Sequence, residues 1–493
     1  CPLRRQRQMC IRDSINSIRM LLFGFSSGLP ILLVFSTLSV WLVKAGVSRS
    51  TVTMFSWAAL AYSFKFIWSP LVDNLKLPFK NFGHRKSWLI LSQILIVLSL
   101  IFISLTDPSK FLVMTAIGSL LIAVSSATQD IVIDAYRIES GTQKVQGALS
   151  SMYITGYRIA MLVAGAGSLY LASYFGTETY NPKTWQNVYL IMACLMSIGI
   201  LTTIFSPEPK IKRKSNLTYT NDQFRFLVSF FLALMVFIVV YSNFKNLLDI
   251  NTPIEKFIFT MFRLFISFFA SAVTIYILIK IKIIPKKSAL NVYAKPILDF
   301  IQRYGKAALI ILSLIALYRI ADIVMGVVAN IFYLEKGYNI KDIATYSKFF
   351  GVFATIFGGL IGGYSAIKFG TIKALFFGAL VAAASNLLLA WLAISEANIN
   401  SLIIVITADN ISSGFAGAAF VVYLSALTSI KFTATQYALF SSLMILIPKV
   451  IAGYSGSMVD YMGYSNFYIF TSIIGIPVLI LIIWISKLAP VKE

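Results

Sequence analysis

The chain contains an internal repeat that indicates its fold. The first copy is ALSSMYITGYRIAMLVAGAGSLY at residues 148–170, and the second is FSSLMILIPKVIAGYSGSMVDY at residues 440–461. The aligned pairs are Ser150 with Ser441, Ser151 with Ser442, Arg158 with Lys449 and Gly165 with Gly456. Both stretches are long and apolar, yet each carries a basic residue halfway along. A matching helix at corresponding places in the chain indicates two similar halves.

The composition indicates a polytopic membrane protein. Of the 493 residues, 58% are hydrophobic and only 12% are charged, whereas about 25% of a soluble globular domain is usually charged. The net charge of +23 raises the question of a nucleic-acid partner. The basic residues are instead scattered through short connections between apolar runs, which is typical of membrane topology. We therefore expect no nucleic-acid partner.

Apolar runs of about 18 or more residues are long enough to cross the hydrocarbon as helices. The runs predict about fourteen helices, near residues 18–43, 51–72, 87–106, 111–133, 145–174, 186–206, 224–242, 257–281, 307–334, 343–367, 372–394, 399–429, 433–459 and 464–486. The prediction is an all-α membrane protein. It has a six-helix half at 15–206, a basic linker with two additional helices at 207–299, and a second six-helix half at 300–493.

The basic connections also predict the orientation of the chain in the membrane. With the N-terminus in the cytoplasm, the basic connections 76–86, 210–214 and 280–306 all lie inside. An even number of helices returns the C-terminus to the same side. Residues 1–14 do not begin with Met and resemble a non-native tail, so the fold prediction leaves them out.

Other classes of function have little support in this sequence. Two of the three cysteines lie in the 1–14 tail and Cys194 lies alone in an apolar run, so neither a disulfide framework nor a metal site is expected. The single histidine, His84, lies in a basic loop without a catalytic constellation, and we expect neither an enzyme nor a cofactor. Two similar halves with opposed charges favour alternating access over a channel.

Several charged residues lie deep inside the apolar runs. There a charge costs about 2.5 to 3.5 kcal/mol and is expected to face a bundle interior or a watery cavity. They are Lys65, Asp130, Arg158, Arg319, Asp322, Asp409 and Lys449. Such a set is typical of a solute pathway.

The end of the fourth predicted helix, SSATQDIVIDAYRIE at 125–139, carries two acids on one face. Asp130 and Asp134 are four residues apart, and Arg137 follows one turn beyond Asp134. A carboxylate in a low dielectric is suited to taking up a proton, so Asp130 is a candidate for proton coupling. The alternative is a structural ion pair with Arg137 or Lys144.

The connection between the second and third predicted helices carries Asp73 and Arg85. We expect Asp73 to pair with the inside charges near Asp134, Arg137 and Glu139, which would lock the cytoplasmic helix ends together. These residues are therefore the predicted gate. The alternative is that the basic loop only sorts the topology, although sorting does not require Asp73.

The chain resembles the AmpG-like muropeptide permeases of the major facilitator superfamily. The matching blocks are LLFGFSSGLP (21–30), FKFIWSPLVD (64–73), SATQDIVIDAYR (126–137), GYRIAMLVAG (156–165), LYRIADIV (317–324) and FTATQYALFSS (432–442). The resemblance implies the major facilitator fold and a proton-driven importer of anhydro-muropeptides in the bacterial inner membrane. One feature departs from the family. Its extra helices often follow the second half, whereas here the extra pair at 224–281 lies between the halves.

Such a cargo is a disaccharide with a short carboxylate-bearing peptide, so its site needs cations, hydrogen-bonding groups and aromatic faces. The candidate substrate-binding residues are Lys65, Gln129, Tyr157, Arg158, Arg319, Asp409, Asn410 and Lys449. The proton-coupling candidates are Asp130 and Asp322. Two alternatives stay open, namely that Arg319 and Asp322 only neutralise each other and that Lys65 snorkels to the cytoplasmic surface.

Together these observations predict a monomeric, proton-coupled secondary transporter that imports GlcNAc-anhydroMurNAc peptides from the periplasm to the cytoplasm for cell-wall recycling. Its partners would be the anionic muropeptide, protons and the lipid bilayer. The alternative is a proton-coupled carrier of another organic anion, such as an acyl-CoA or a small peptide.

Overall fold

The apolar runs form helices in the computed structural model, which describes residues 2–47, 52, 55, 58, 60–77, 82–176, 180–209, 220–244, 253–284, 294–338, 342–452 and 455–488. No strand occurs in these ranges. The physical reason is that hydrocarbon offers no partners to backbone N–H and C=O groups, so a spanning segment must bond them internally.

The first part of the chain contains eleven described α-helices. They are α1 (Pro2–Val34), α2 (Ser36–Lys44), α3 (Leu60–Phe64), α4 (Ser69–Asn74), α5 (His84–Ser104), α6 (Leu112–Ser140), α7 (Gln146–Leu162), α8 (Ser168–Phe175), α9 (Pro182–Phe205), α10 (Thr220–Asn243) and α11 (Pro253–Lys280). A 3-10 turn at Lys65–Ile67 follows α3, and a π-helical segment at Val163–Gly167 joins α7 to α8.

The second part contains nine described α-helices. They are α12 (Lys295–Tyr304), α13 (Ala307–Leu317), α14 (Ile320–Glu335), α15 (Gly351–Phe369), α16 (Thr371–Ile394), α17 (Ile399–Leu427), α18 (Thr433–Ala452), α19 (Ser455–Ile473) and α20 (Ile476–Leu488). A π-helical segment at Ile343–Phe350 precedes α15.

Within the described ranges, twelve helical segments are long and apolar enough to cross a membrane. They agree with twelve of the roughly fourteen predicted helices. The predicted helix at 51–72 falls partly outside the described residues. The one at 257–281 lies in α11, whose strongly apolar part, Phe265–Lys280, is shorter than a full span.

The chain divides into two compact units. The first comprises Cys1–Ser69, Leu77–Ile211 and Tyr304–Glu493, so it contains helices of both predicted halves. The second comprises Pro70–Lys76 and Lys212–Arg303, which includes α10 and α11. Inside the second unit, the Arg263 guanidinium lies over the Tyr241 ring at 4.2 Å and donates to the Tyr241 carbonyl at 2.6 Å, joining α11 to α10. The predicted domain boundaries stay a prediction.

Small residues let the helices of the first unit approach closely. In the first half, α1 runs along α7, and a Cβ added at Gly24 or Gly156 would overlap the backbone of Tyr153 or Leu21. In the second half, a Cβ at Gly358 would likewise meet the backbone of Ile411 where α15 crosses α17. Close backbone approach at small residues is a common way for helices to associate in membranes.

The two halves contact each other at one end of the first unit. There α7 packs against α15 and α17, and α18 packs against α6 and the Lys65–Ile67 turn. Ser151 Oγ donates a hydrogen bond to the Gly359 carbonyl at 3.0 Å. This end holds the equivalent connections 141–145 and 428–432 of the two halves.

Candidate functional site

Asp130, on α6, accepts a hydrogen bond from a hydroxyl group of α1, which in turn contacts a hydroxyl group of α7. Ser27 Oγ donates to Asp130 Oδ1 at 2.5 Å and lies 2.8 Å from Tyr153 Oη. One residue earlier, Ser26 Oγ donates to Gln129 Oε1 at 2.8 Å, and Gln129 Nε2 donates back to the Ser26 carbonyl at 3.0 Å. The Gln129 amide therefore joins two helices in this structure, while Asp130 receives its hydrogen bond from a neutral donor.

Asp134, one turn beyond Asp130, lies between two cations. Lys65 Nζ is 3.8 Å from Asp134 Oδ2, and Arg137 Nη2 is 3.5 Å from Asp134 Oδ1. Lys65 is only 6% exposed, so its ammonium faces the bundle interior rather than the surface. Arg137 thus pairs with Asp134 rather than with Asp130. The alternative pairing with Lys144 lies outside the described side chains.

Arg137 also connects the two halves. Its Nη1 donates to Ser425 Oγ on α17 at 2.8 Å and to Ser150 Oγ on α7 at 3.0 Å. Gln146 Oε1 accepts a longer bond of 3.3 Å, and the guanidinium lies 5.2 Å from the centre of the Tyr437 ring on α18. Arg137 is 0% exposed. We call Arg137 with Ser425 and Tyr437 the inter-half latch.

Arg85 forms a buried ion pair inside the first half. Its Nη2 and Nε lie 2.7 and 3.2 Å from the two oxygens of Glu139, a bidentate arrangement. The Glu208 carboxylate accepts bonds from the backbone N–H groups of Arg85 and Lys86 at 2.9 and 3.1 Å, where α5 begins. Glu139, one of the charges expected near Asp73, therefore binds Arg85. Asp73 belongs to the second unit, and its gating role stays a prediction.

Arg319 and Asp322 form an ion pair at an interruption of the ninth predicted helix, 307–334. Arg319 lies in the break between α13 and α14, inside the membrane span Ala307–Ala329. Arg319 Nη2 contacts Asp322 Oδ2, and Ser413 Oγ lies 3.4 Å from both atoms. The two residues do neutralise each other in this structure, although the pair remains partly accessible.

The neighbouring residues Asp409 and Asn410, on α17, have different surroundings. Thr355 Oγ1 donates to Asn410 Oδ1 at 2.9 Å, and Asn410 Nδ2 donates to the Ile406 carbonyl at 2.8 Å. The Asn410 amide thus joins α15 to α17. The Asp409 carboxylate has no hydrogen-bond or ion-pair partner among the residues that the structure describes.

Arg158, on α7, is a half-buried cation that lacks a close anion. Its Nη1 lies 3.7 Å from Met161 Sδ. Across the interface between the halves it interacts electrostatically with Arg319 and Asp322. In the described part of the chain no carboxylate lies within ion-pair distance of its guanidinium. Tyr157, the preceding residue, is half-buried, with its ring centre 6.2 Å from that of Tyr153.

Lys449 is the repeat counterpart of Arg158, on α18. Its side chain is exposed, and it has no ion-pair partner in the described ranges. Arg158 and Lys449 therefore share a position in the two halves and share the lack of an anionic partner. Both can accept an anion without first breaking a salt bridge.

Sequence reasoning located the intramembrane charges but missed their neutral partners. Ser425, Tyr437, Ser413 and Tyr153 were not predicted as site residues. Tyr437 does lie in the block FTATQYALFSS that carries the family resemblance, so a signal for it existed. In the described residues, no group of three or more His, Cys, Asp or Glu side chains is placed to hold a metal ion.

Comparisons with known proteins agree with this architecture. The sequence model described as "Major Facilitator Superfamily" matches residues 18–333. Two solved structures share the fold at low sequence identity. The proton:xylose symporter XylE has a TM-score of 0.61 at 12% identity, covering 98% of this chain and 96% of its own. The transporter FucP has a TM-score of 0.62 at 11% identity, with coverages of 96% and 98%.

Full-length relatives narrow the family further. A Rickettsia felis protein named "Putative transporter AmpG 4" is 32% identical over 468 residues, which cover 94% of this chain and 95% of the relative. A Rickettsia prowazekii protein named "Putative transporter AmpG 1" is 31% identical over 478 residues, with coverages of 94% and 97%. These matches confirm the predicted family and fold. The chain therefore belongs to the major facilitator superfamily of membrane transporters and, within it, to the AmpG-like transporters.

Proposed function

We propose that this protein is a proton-coupled importer of anhydro-muropeptides that works by alternating access in the bacterial inner membrane, with both termini in the cytoplasm. The observation that carries the proposal is the arrangement of Arg158, a cation without a close anion, opposite the Arg319–Asp322 pair of the other half. A cargo carboxylate supplies the anion that the protein does not.

Binding at this place would involve both halves of the protein. A carboxylate bound to Arg158 also attracts Arg319, whose guanidinium can form a planar two-point contact with it. Arg319 lies at a break in a membrane-spanning helix, and Lys65 lies in the short 3-10 turn after α3. Discontinuous helices near the bilayer midplane commonly form the substrate sites of secondary transporters.

Asp130 is suited to carry the coupled proton. It is 7% exposed, it receives a short hydrogen bond from Ser27, and it interacts electrostatically with Lys65 and Asp134. Protonation removes its negative charge and turns the carboxyl group into a donor, which changes the contact between α1 and α6. Proton coupling requires such a link, in which binding a proton changes the contact between two helices.

The inter-half latch supports a gate at the end where the halves meet. If the basic connections lie in the cytoplasm, the connections 141–145 and 428–432 lie there too. The conformation described here is then closed toward the cytoplasm. Opening on that side requires Arg137 to leave Ser425 and Tyr437.

The assignment of the cargo rests on the AmpG-like family together with the chemistry of the candidate residues. Arg158, Arg319 and Lys449 suit the carboxylates of a peptide, and Tyr157 offers an aromatic face for a sugar ring. An acyl-CoA or a small peptide is also an anion, so cationic residues alone do not select among these cargoes. The experiment must therefore compare them directly.

The test is uptake of labelled GlcNAc-anhydroMurNAc-tripeptide into proteoliposomes that contain the purified full-length protein. Accumulation that requires an inward proton gradient and stops when a protonophore is added is the expected result. Vesicles with labelled acetyl-CoA or a labelled tripeptide provide the comparison. Accumulation of one of these, with no muropeptide uptake by protein that is shown to be folded, would overturn the muropeptide assignment.

A further inference from the structure

The second half contains a carboxyl group whose surroundings differ from those of the other intramembrane acids. Asp409 lies in the middle of α17 and is half-buried. Asp130 receives a bond from Ser27, Asp134 faces Lys65 and Arg137, and Asp322 contacts Arg319. The Asp409 carboxylate alone among these four makes no hydrogen bond or ion pair within the part of the chain that the structure describes.

The groups that reach Asp409 electrostatically come from two other elements. Arg319 and Asp322 approach from the ninth predicted helix, 307–334, as does Tyr333 near the end of α14. Tyr468 approaches from α19. The Tyr468 hydroxyl is fully buried and has no hydrogen-bond partner in the described residues. Within the described residues, an unpaired carboxylate and an unpaired buried hydroxyl therefore interact electrostatically.

The charged groups that act on Asp409 do not balance its charge. Arg319 supplies one positive charge, and Asp322 is in direct contact with it, so the charge of Asp409 has no counter-ion of its own. An uncompensated charge within a membrane span is costly. Binding a proton to Asp409 removes that cost and breaks no contact. Binding a proton to Asp322 would instead break its ion pair with Arg319.

We propose that Asp409 is the proton-accepting group of the second half, and that Asp322 is the fixed counter-ion of Arg319. The sequence had assigned these roles the other way, with Asp322 in proton coupling and Asp409 in substrate binding. The inference rests on the proposed proton-coupled function and adds a second proton-binding position to Asp130. Each half then contains one carboxyl group that can gain or lose a proton near a fixed ion pair.

The first test reads protonation directly and needs no substrate. Infrared spectra of the purified full-length protein in lipid are recorded across a pH series, and the carbonyl band of protonated carboxyl groups is followed. Asp409→Asn should lose one titrating component of that band. Asp409→Glu should keep a titrating component at a shifted midpoint, which separates loss of the carboxyl group from misfolding.

A matched control removes the same charge elsewhere in the same half. Asp460, on α19, is exposed, so Asp460→Asn should leave in place the component that Asp409→Asn removes. The proposal is overturned if Asp409→Asn leaves every titrating component in place, or if Asp322→Asn removes the component assigned to Asp409.

The second test separates this proposal from the proposed cargo. In proteoliposomes, Asp409→Asn should still exchange labelled muropeptide for unlabelled muropeptide, but accumulation driven by a proton gradient should fall to the equilibrium level. Failure of the wild-type protein to transport muropeptide would refute the cargo and leave the infrared result standing. Full gradient-driven accumulation by Asp409→Asn would refute the role of Asp409 and leave the cargo standing.

Discussion

Arg158 is the residue whose surroundings say most about the cargo. An arginine is rarely left without an anion inside a membrane, because desolvating its charge is costly. Here Arg158 interacts electrostatically with a second guanidinium, that of Arg319. The carboxylate nearest to Arg319 belongs to Asp322, which already forms an ion pair with Arg319. In the proposed function, an anionic cargo supplies the missing counter-ion to Arg158.

We predict that Arg158→Gln weakens equilibrium binding of the muropeptide by about ten- to a hundredfold, since a hydrogen bond to a charged group contributes about 1.5 to 3 kcal/mol. Isothermal titration calorimetry on the purified variant measures this. Arg303→Gln, at a partly exposed ion pair with Asp299, is the matched control and should bind normally. Equal affinity in wild type and Arg158→Gln would contradict the assignment of Arg158.

Asp107, in the connection between α5 and α6, gives a prediction about pH. Burial acts to raise the pKa of its carboxyl group, but hydrogen bonds from Ser109 and Tyr180 outweigh burial and hold the pKa below its ordinary value of 3.8. A carboxyl group with a lowered pKa stabilises the fold above pH 3.8, and this contribution is lost as the pH falls through the lowered value.

Asp107→Asn should therefore lower the melting temperature in detergent at neutral pH. The difference from wild type should shrink as the pH falls below 3.8, where the wild-type carboxyl group also loses its charge. Thermal unfolding across a pH series checks this. Ser197→Ala, at an exposed hydroxyl that bonds only the Cys194 carbonyl of its own helix in the described structure, is a control for a neutral surface change.

The sequence predicted which charged residues lie inside the apolar runs but not which groups surround them. A charge inside an apolar run is visible in the sequence because it violates the pattern of a membrane span. Its partner is not visible when the partner is a neutral residue on another helix. Ser425, for example, is 288 positions from Arg137, and only the tertiary arrangement of the helices brings the two together.

The helices were predicted well because a long apolar run in hydrocarbon must satisfy its backbone hydrogen bonds internally, which a helix does. The predicted gap between 459 and 464 contains Gly463, whose φ of 77° interrupts the helical backbone inside α19. The internal breaks were not predicted. The interruption at Arg319 and the π-helical segments at Val163–Gly167 and Ile343–Phe350 have no strong signal in composition or hydropathy.

We predict that Gly156→Ala lowers the stability of the protein, by about 1 to 3 kcal/mol, as overpacking of a close contact does. A Cβ at Gly156 would overlap the Leu21 backbone, so α1 and α7 would have to separate. Gly417→Ala is the matched control, because a Cβ there meets no atom within 4 Å. Chemical denaturation of both variants in detergent measures the effect, and equal stabilities would argue against this close approach.

Polar contacts join the two halves at the closed end of the first unit. Arg137 reaches from α6 to α17 and α18, and Ser151 reaches from α7 to α15. Helix packing of α7 against α15 and α17, and of α18 against α6, accompanies these contacts. Replacing Arg137 removes contacts to both α17 and α18 at once, so the latch is sensitive to a single substitution.

We predict that Arg137→Met shifts the population toward a state open at this end, by about tenfold or more if one charge-assisted hydrogen bond is lost. Spin labels on cysteines introduced at Thr142 and Lys431, both exposed in the two equivalent connections, report the separation by double electron–electron resonance. The native cysteines are replaced beforehand. Longer distances in Arg137→Met than in the parent protein are the expected result.

Arg85→Met decides whether a change in distance is specific to the latch. Arg85 is as buried as Arg137, at 1% against 0% exposed, and it too binds a carboxylate, but Glu139 lies in the same half. Losing that pair should lower the melting temperature and leave the distance between the halves unchanged. Matching distance distributions in Arg137→Met and the parent would mean that this end stays closed without the latch. A lengthening in both arginine variants would instead point to general loosening of the first half.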